Sequence, residues 1–534
     1  MLDSVIKNGL VVDGSGNPWF KGDVAIDNGR IVKINGIPTS KAEKVIDATG
    51  LMVAPGFIDM HSHSDLVLLI NPRAESKIRQ GITTEVIGNC GFSLAPIVPG
   101  RTDLVKREYG PLADETTWDW FTFQEFRVRL SNQRISVNVA PLVGHGVLRK
   151  NVMGYENREP TSDEFTEMKA LLVESMKAGA FGMSTGLIYP PSSFANTNEI
   201  VELAKVAMKH GGIYTSHIRN ESNRLLEAVE EAVVIGKSAK IPVEISHLKS
   251  AGKSNWGRVN EALGIIDNAR KGGVMISCDF YPYTAGSTGL YACLPPWVHE
   301  DGKDEMLNRL KSNSIRKRIK EHIKAETEGW ENLVRNAGWD GIIITRCEKN
   351  KDYEGLSVSE VATKQGADPF DVMFDLLLEE DGVVGIVLHM MSEEDVRAVM
   401  KHPLSMVGTD AVANAPYGPL AKGKPHPRSY GTFPRILGKY VREESVLSLQ
   451  GAIMKMTSMP AQKLGLSDRG LIRKGFWADL AIFDPELVSD KATYKDPHQY
   501  PRGIEYVMVN GELVIDRGEH TGNLPGKVLV ANHE

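Results

Sequence analysis

Residues 53–65 read VAPGFIDMHSHSD. A short apolar run, Val53 to Ile58, is followed by polar residues at every second position: Asp59, His61, His63 and Asp65. In an extended chain, side chains two apart point the same way. His61 and His63 therefore converge at the C-terminal end of a strand, where the catalytic groups of a parallel α/β barrel gather. Two exposed loop histidines would be the plain alternative. An HxH pair directly after an apolar strand is a sharper signal than a lone histidine.

The pattern repeats outward from this segment. Apolar runs stand at 82–88 (ITTEVIG), 135–140 (ISVNVA), 181–187 (FGMSTGL) and 274–280 (VMISCDF). Three more end in a metal-ligating residue: GIYTSH at His217, IPVEISH at His247 and LSMVGTD at Asp410. Between several of them lie amphipathic stretches such as NEIVELAKVAMKHG and ESNRLLEAVEEAVVIGKSA. Strand-then-helix alternation implies parallel βα units, and roughly eight units predict a TIM-like (β/α)8 barrel over residues 54–473. A doubly wound sheet is the rival.

The ends differ from the middle. The first fifty residues and the stretch from Trp477 onward are short β-branched runs broken by Asp-Gly, Asn-Gly and Thr-Gly turns. Chain termini often lie close together, so residues 1–53 and 474–534 are expected to form one small β-sandwich domain. The charged stretch HEDGKDEMLNRLKSNSIRKRIKEHIKAETEGWENLV breaks the βα rhythm. It predicts an inserted helical flap at about 285–345. GIIITR (341–346) and VGIVLH (384–389) then read as strands beyond the eight a barrel needs, with no assignment to barrel or loop.

Bulk properties bound the function. The chain has 534 residues, a formal net charge of −6 and no long basic run, so it carries no footprint for a nucleic-acid backbone. Four cysteines are too few for a disulfide scaffold. Neither a secretory leader nor an 18-residue apolar span is legible, and the expected compartment is the cytoplasm. No heptad or aromatic cluster implies a partner protein or a particular oligomeric state.

His61, His63, Cys90, His217, His247 and Asp410 would share one rim of the barrel. Imidazole, thiolate and carboxylate together suit zinc, a borderline-soft ion. Cys90 stands in the polar context Asn-Cys-Gly; the apolar settings of Cys278 and Cys347 read as core, and Cys293 reads as structural. His145, His389 and His426 are as well explained by packing or surface roles. Cleaving an amide needs an activated water, a polarised carbonyl and a proton for the leaving nitrogen. Asp410 is the candidate general base and acid. No GxSxG elbow, HExxH motif or phosphate loop offers another route.

Taken together, PGFIDMHSHSD (55–65), GITTEVIGNCGFSLAP (81–96), GAFGMSTGLIYPP (179–191), YTSHIRNE (214–221), ISHLKSAG (245–252), VGTD (407–410) and PHPRSYGTFPR (425–435) resemble the D-aminoacylase branch of the amidohydrolase superfamily. RGLIRKGFWADLAIFDP (469–485) resembles that branch's return into its small β domain. The resemblance implies zinc-dependent hydrolysis of N-acyl-D-amino acids, with one or two ions. It implies that Cys90, His217 and His247 hold the tight site and that His61, His63 and Asp410 approach a weaker one. Cys90 would replace the carboxylated lysine that bridges the metals of many relatives; Ser184 and Thr185 stand where that lysine would be sought. Lys249 and Arg428 would hold the substrate's α-carboxylate, with Tyr189, Tyr283 and Ser287 lining the pocket. The rivals are hydrolysis of cyclic amides, as in hydantoinases and dihydroorotases, cleavage of D-residue dipeptides, and a non-catalytic scaffold on the same barrel.

Overall fold

The computed structural model describes residues 1–37, 42–325 and 329–531. Its N-terminal strands are β1 (Leu2–Val11), β2 (Phe20–Asp27), β3 (Arg30–Ile34), β4 (Ala42–Asp47) and β5 (Met52–Pro55). After β5 the chain turns at Gly56 into a ring of parallel strands. These are β6 (Phe57–Asp59), β7 (Ile82–Ile87), β8 (Asn138–Pro141), β9 (Val143–Gly144), β10 (Gly182–Gly186), β11 (Ile213–His217), β12 (Val243–Ile245) and β13 (Ile276–Phe280). Leu142 alone separates β8 from β9, which form one interrupted stave.

Between β13 and the last stave lie β14 (Ala285–Gly289), β15 (Ile342–Arg346) and β16 (Gly385–His389); the stave itself is β17 (Ser405–Val407). β6, β7 and β8 pair in parallel, as do β9 to β13 and then β17. The two runs meet through Met60 N–H to Val407 O (3.2 Å), Asp410 N–H to His61 O (2.8 Å) and the parallel bridge Ser62–Ala411. The result is a TIM-like barrel whose last stave lies beside its first.

Helices cover the staves for the reason the sequence suggests. α1 (Ser162–Lys177) starts at a capping box between Thr161 and Glu164, which satisfies two otherwise orphaned N–H groups. α2 (Thr197–Lys209), α3 (Leu225–Ala239) and α4 (Val259–Lys271) follow, each packed on its predecessor. In α3 the buried residues Leu225, Val229, Ala232, Ile235 and Ala239 recur at three- and four-residue spacing, one stripe turned to the sheet.

GIIITR and VGIVLH are not staves. β15 and β16 pair antiparallel, and β16 pairs antiparallel with β14, in a separate three-stranded sheet. The stretch expected as a helical flap thus begins with β14 and ends in β15, with helices between them that include Lys303–Leu310 and Asn313–Lys324. Ala285–Gly289 reads AGSTG, with no apolar alternation, so its partner strands had no visible mate.

At the C-terminus β18 (Leu480–Phe483), β19 (Ile504–Val509), β20 (Glu512–Asp516) and β21 (Glu519–His520) continue the N-terminal sheet. The seam is the antiparallel pair β5–β18, Pro55 opposite Leu480. One edge of β1 serves both β4 and β5, so the sheet divides there. Val24, Ile26 and Ile46 from one part and Leu480, Ile482 and Met508 from the other share one buried core. Among the described residues, no helix is long and apolar enough to cross a membrane.

Candidate metal centre

Every metal-ligating residue expected at the rim stands just past the C-terminal end of a stave or on its last residue. His61 and His63 follow β6, Cys90 lies three residues past β7, His217 ends β11, His247 lies two past β12, and Asp410 three past β17. Cys90, His247 and Asp410 have positive φ angles of 52°, 36° and 50°. Non-glycine residues held there cost free energy that the surrounding fold must offset, and such strain clusters at functional sites.

The donors form two sets that share Cys90: Cys90, His217 and His247, and His61, His63, Cys90 and Asp410. Cys90 Sγ lies 3.2 Å from His61 Nε2, 3.5 Å from His247 Nε2 and 3.9 Å from His217 Nδ1. Asp410 Oδ1 lies 3.1 Å from His63 Nε2 and 3.6 Å from His61 Nε2. Donors bound tetrahedrally to zinc at about 2.0–2.3 Å sit roughly 3.3–3.8 Å apart. Spacing and donor chemistry therefore both fit a zinc-sized cation.

Electrostatics point the same way. Burial alone would raise the Cys90 thiol, but the charge on His61 and hydrogen bonds from His217, His247 and His61 hold it well below the ordinary thiol range. Burial would also raise Asp410, and Arg428, His247 and His63 hold it well below the usual carboxylate range. Both groups are thereby held in the anionic form that a metal ligand requires.

A surrounding layer fixes these side chains. His247 Nδ1 meets Glu221 Oε1 at 2.9 Å, and Lys249 Nζ donates to the same oxygen at 2.6 Å. Burial works against the Glu221 carboxylate, yet Lys249, His217 and His247 pull it down to about 2. Asp279 accepts from His247 N at 2.8 Å and lies 3.4 Å from His61 Nδ1. Below the rim, the fully buried Lys77 donates to Asp59 (2.7 Å), Ser62 (3.1 Å), Thr409 (2.7 Å) and the Ala411 carbonyl (2.9 Å), and lies 3.2 Å from Glu85. One ammonium thus ties the loop carrying His61 and His63 to the loop carrying Asp410. Asp59, in phase with the histidines along the strand, serves that lysine.

A cavity of about 450 Å³ opens over the donors. Tyr189, Lys249, Ser287 and Arg428 line it, as does His426; His145 and His389 do not. His145 is buried between Ser192 and Glu199. Arg428 Nη1 forms an ion pair with Asp410 Oδ2 at 2.8 Å, and the buried Nε has no hydrogen-bond partner. Tyr189 meets Thr288 Oγ1 at 3.1 Å, and its ring stands edge-on to His217. Ser287 Oγ donates to Ile386 O at 2.8 Å.

Tyr283 is the exception. It does not line the cavity; it packs beneath Arg435 and beside His426, and Tyr281 lines the cavity instead. The stave ends at Phe280, and Tyr283 N–H closes a tight turn onto Tyr281 O at 3.0 Å. Two-residue periodicity fails past that point. Tyr281, Glu221, Asp279 and Lys77 were not picked out from sequence. Glu221 alone had a signal, as the last residue of YTSHIRNE.

Known proteins share this chain's sequence and fold over nearly its whole length. Residues 44–515 match the profile of the Amidohydrolase family. An N-acyl-D-aspartate deacylase of Alcaligenes xylosoxydans xylosoxydans is 38% identical, over 99% of this chain and 95% of that protein. An N-acyl-D-glutamate deacylase from Bordetella bronchiseptica, solved with zinc and a phosphonate mimic of the tetrahedral intermediate, superposes with a TM-score of 0.83. It is 34% identical, over 99% of this chain and 100% of that one. A D-aminoacylase structure, described as showing one-metal activation and second-metal attenuation at a binuclear centre, gives a TM-score of 0.82. Its identity is 35%, over 99% and 100% of the two chains.

Proposed function

The chain belongs to the amidohydrolase family, and from that membership we propose that it hydrolyses N-acyl-D-amino acids to a carboxylate and a free D-amino acid. The observation that carries the reading is the position of Asp410. One of its oxygens faces the donor cluster and the other faces Arg428. A substrate whose α-carboxylate sits on Arg428 brings its amide, two bonds away, next to the Asp410 carboxylate.

We assign Cys90, His217 and His247 to the ion required for turnover, and His61, His63 and Asp410 to a second, weaker position. A zinc ion held there supplies a Lewis acid for the carbonyl and lowers the pKa of water. Asp410 takes a proton from the attacking water and returns it to the amide nitrogen as the C–N bond breaks. Arg428 and Lys249 hold the α-carboxylate against the Tyr281 ring. Tyr189 and Ser287 complete the wall. Preference for the D-configuration follows the named relatives.

The test is amine release from N-acetyl-D- and N-acetyl-L-amino acids, using enzyme of measured zinc content. Zinc-dependent turnover of D-substrates alone is the expected result. Failure on the whole panel with zinc bound would overturn the reading.

A further inference from the structure

A second cavity of about 340 Å³ adjoins the one over the donors. The two share Phe92, Glu108, Tyr109, Thr288, Tyr291 and Arg346 in their walls. Elsewhere the second cavity is bounded by Leu112, Tyr155, Met306 and Val383. Most of its charged groups have partners outside its walls, although Glu108 Oε2 and Arg346 Nε have no hydrogen-bond partner. Glu108 Oε1 accepts from Lys150 and from Tyr155 OH, Arg107 pairs with Asp304, and Lys303 pairs with Asp381. Aromatic faces and aliphatic side chains are left as the main contact surface.

The chamber's position relative to the scissile bond decides what it would hold. Lys249 and Arg428 converge on the Tyr281 ring, at 5.8 and 4.6 Å from its centre, on the side of His247 and Asp410. Phe92, two residues past Cys90, packs on Tyr189, which stands against His217. β14 spans the distance between the two ends. Arg428 donates to Ser287 O at 3.4 Å, while Thr288 and Gly289 border the second chamber. Across an N-acyl amino acid, the carboxylate and the acyl chain leave the amide in opposite directions. With the carboxylate on the cations, the acyl chain points toward Phe92 and Tyr291.

We propose that this chamber is the acyl site, and that the enzyme's substrates carry long apolar or aromatic acyl groups. An acetyl group would leave the chamber empty. The proposal rests on the deacylase reading and goes beyond it, because it concerns the acyl half alone. Burying each further methylene strengthens binding of the transition state as well as of the substrate.

The experiment uses the full-length, zinc-loaded enzyme and one D-amino acid carrying acetyl, butanoyl, hexanoyl, octanoyl or succinyl groups. kcat/KM is expected to rise roughly twofold to fourfold per methylene through the apolar series. Leu112→Trp and Val383→Trp, which fill the chamber from partly exposed wall positions, should lower the octanoyl-to-acetyl ratio by on the order of tenfold. The ratio is insensitive to the fraction of enzyme that folds. Acetyl turnover equal to or faster than octanoyl overturns the acyl site and leaves the deacylase reading standing. So does a preference for succinyl, which would place a polar acyl group against Arg346. Tryptophan variants that instead change preference among acetylated D-amino acids by side-chain size would assign the chamber to the amino-acid side chain and overturn the proposal. Hydrolysis of no member of the series overturns both readings.

Discussion

The two donor sets that share Cys90 are built differently. Cys90, His217 and His247 are 4, 6 and 2% exposed, and His247 is braced by Glu221, which Lys249 and the backbone-bonded Glu331 hold in turn. His63 and Asp410 have side chains 25% and 12% exposed, although His61 beside them is fully buried, and every donor except His61 lines the cavity. A closed, braced set suits an ion that stays. An open set, with a carboxylate at the cavity wall, suits proton movement and substrate entry. On the proposed reading, the difference separates holding the ion from performing the chemistry, although the two sets meet at one sulfur.

Substitutions can break or sharpen that separation. The largest expected effect is that of Cys90→Ala, which removes the shared donor. Zinc content and turnover should fall together, by more than about a hundredfold in affinity and rate. A variant retaining full zinc and activity would mean that the sets do not depend on the thiolate. Next comes Lys77→Met, which leaves Asp59 and Glu85 buried without their cation. Losing one partner of such a cluster costs about 3–5 kcal/mol, readable as a lowered denaturation midpoint. Folded Lys77→Met protein should keep zinc at the closed set and lose activity through the loops bearing His61 and Asp410. Smallest is Glu221→Gln, which loosens the brace on His247. Zinc affinity in a competitive chelator titration should drop about 10- to 100-fold, with near-normal kcat at saturating zinc. An unchanged affinity would show that the closed set needs no brace.

Much of this was legible in the sequence because it rests on short periodicities. The alternation of Asp59, His61, His63 and Asp65 after an apolar run located the rim, and His217 and Asp410 at or near strand ends repeated it. Cys90 was legible from its polar context. What escaped had no local signature. Lys77 sits in the polar stretch RAESKIRQ and Asp279 in the apolar run VMISCDF, and their roles depend on contacts 332 and 218 residues away in sequence, to Thr409 and His61 respectively. Tyr283, named from the resemblance alone, is turned away from the cavity by the tight turn that follows β13, and Tyr281 lines it instead. The sheet of β14, β15 and β16 was hidden by the low hydrophobicity of AGSTG, which pairs through backbone groups that composition does not reveal.

The most direct test of the central claim, that Asp410 moves the proton while the closed set holds the ion, is Asp410→Asn assayed for zinc content and kcat on one N-acyl-D-amino acid. The substitution keeps shape and removes basicity. The expected result is about one retained zinc per chain with kcat reduced by roughly 10²–10⁴-fold, the usual worth of general acid–base catalysis. Near-normal kcat with zinc in place would contradict the account.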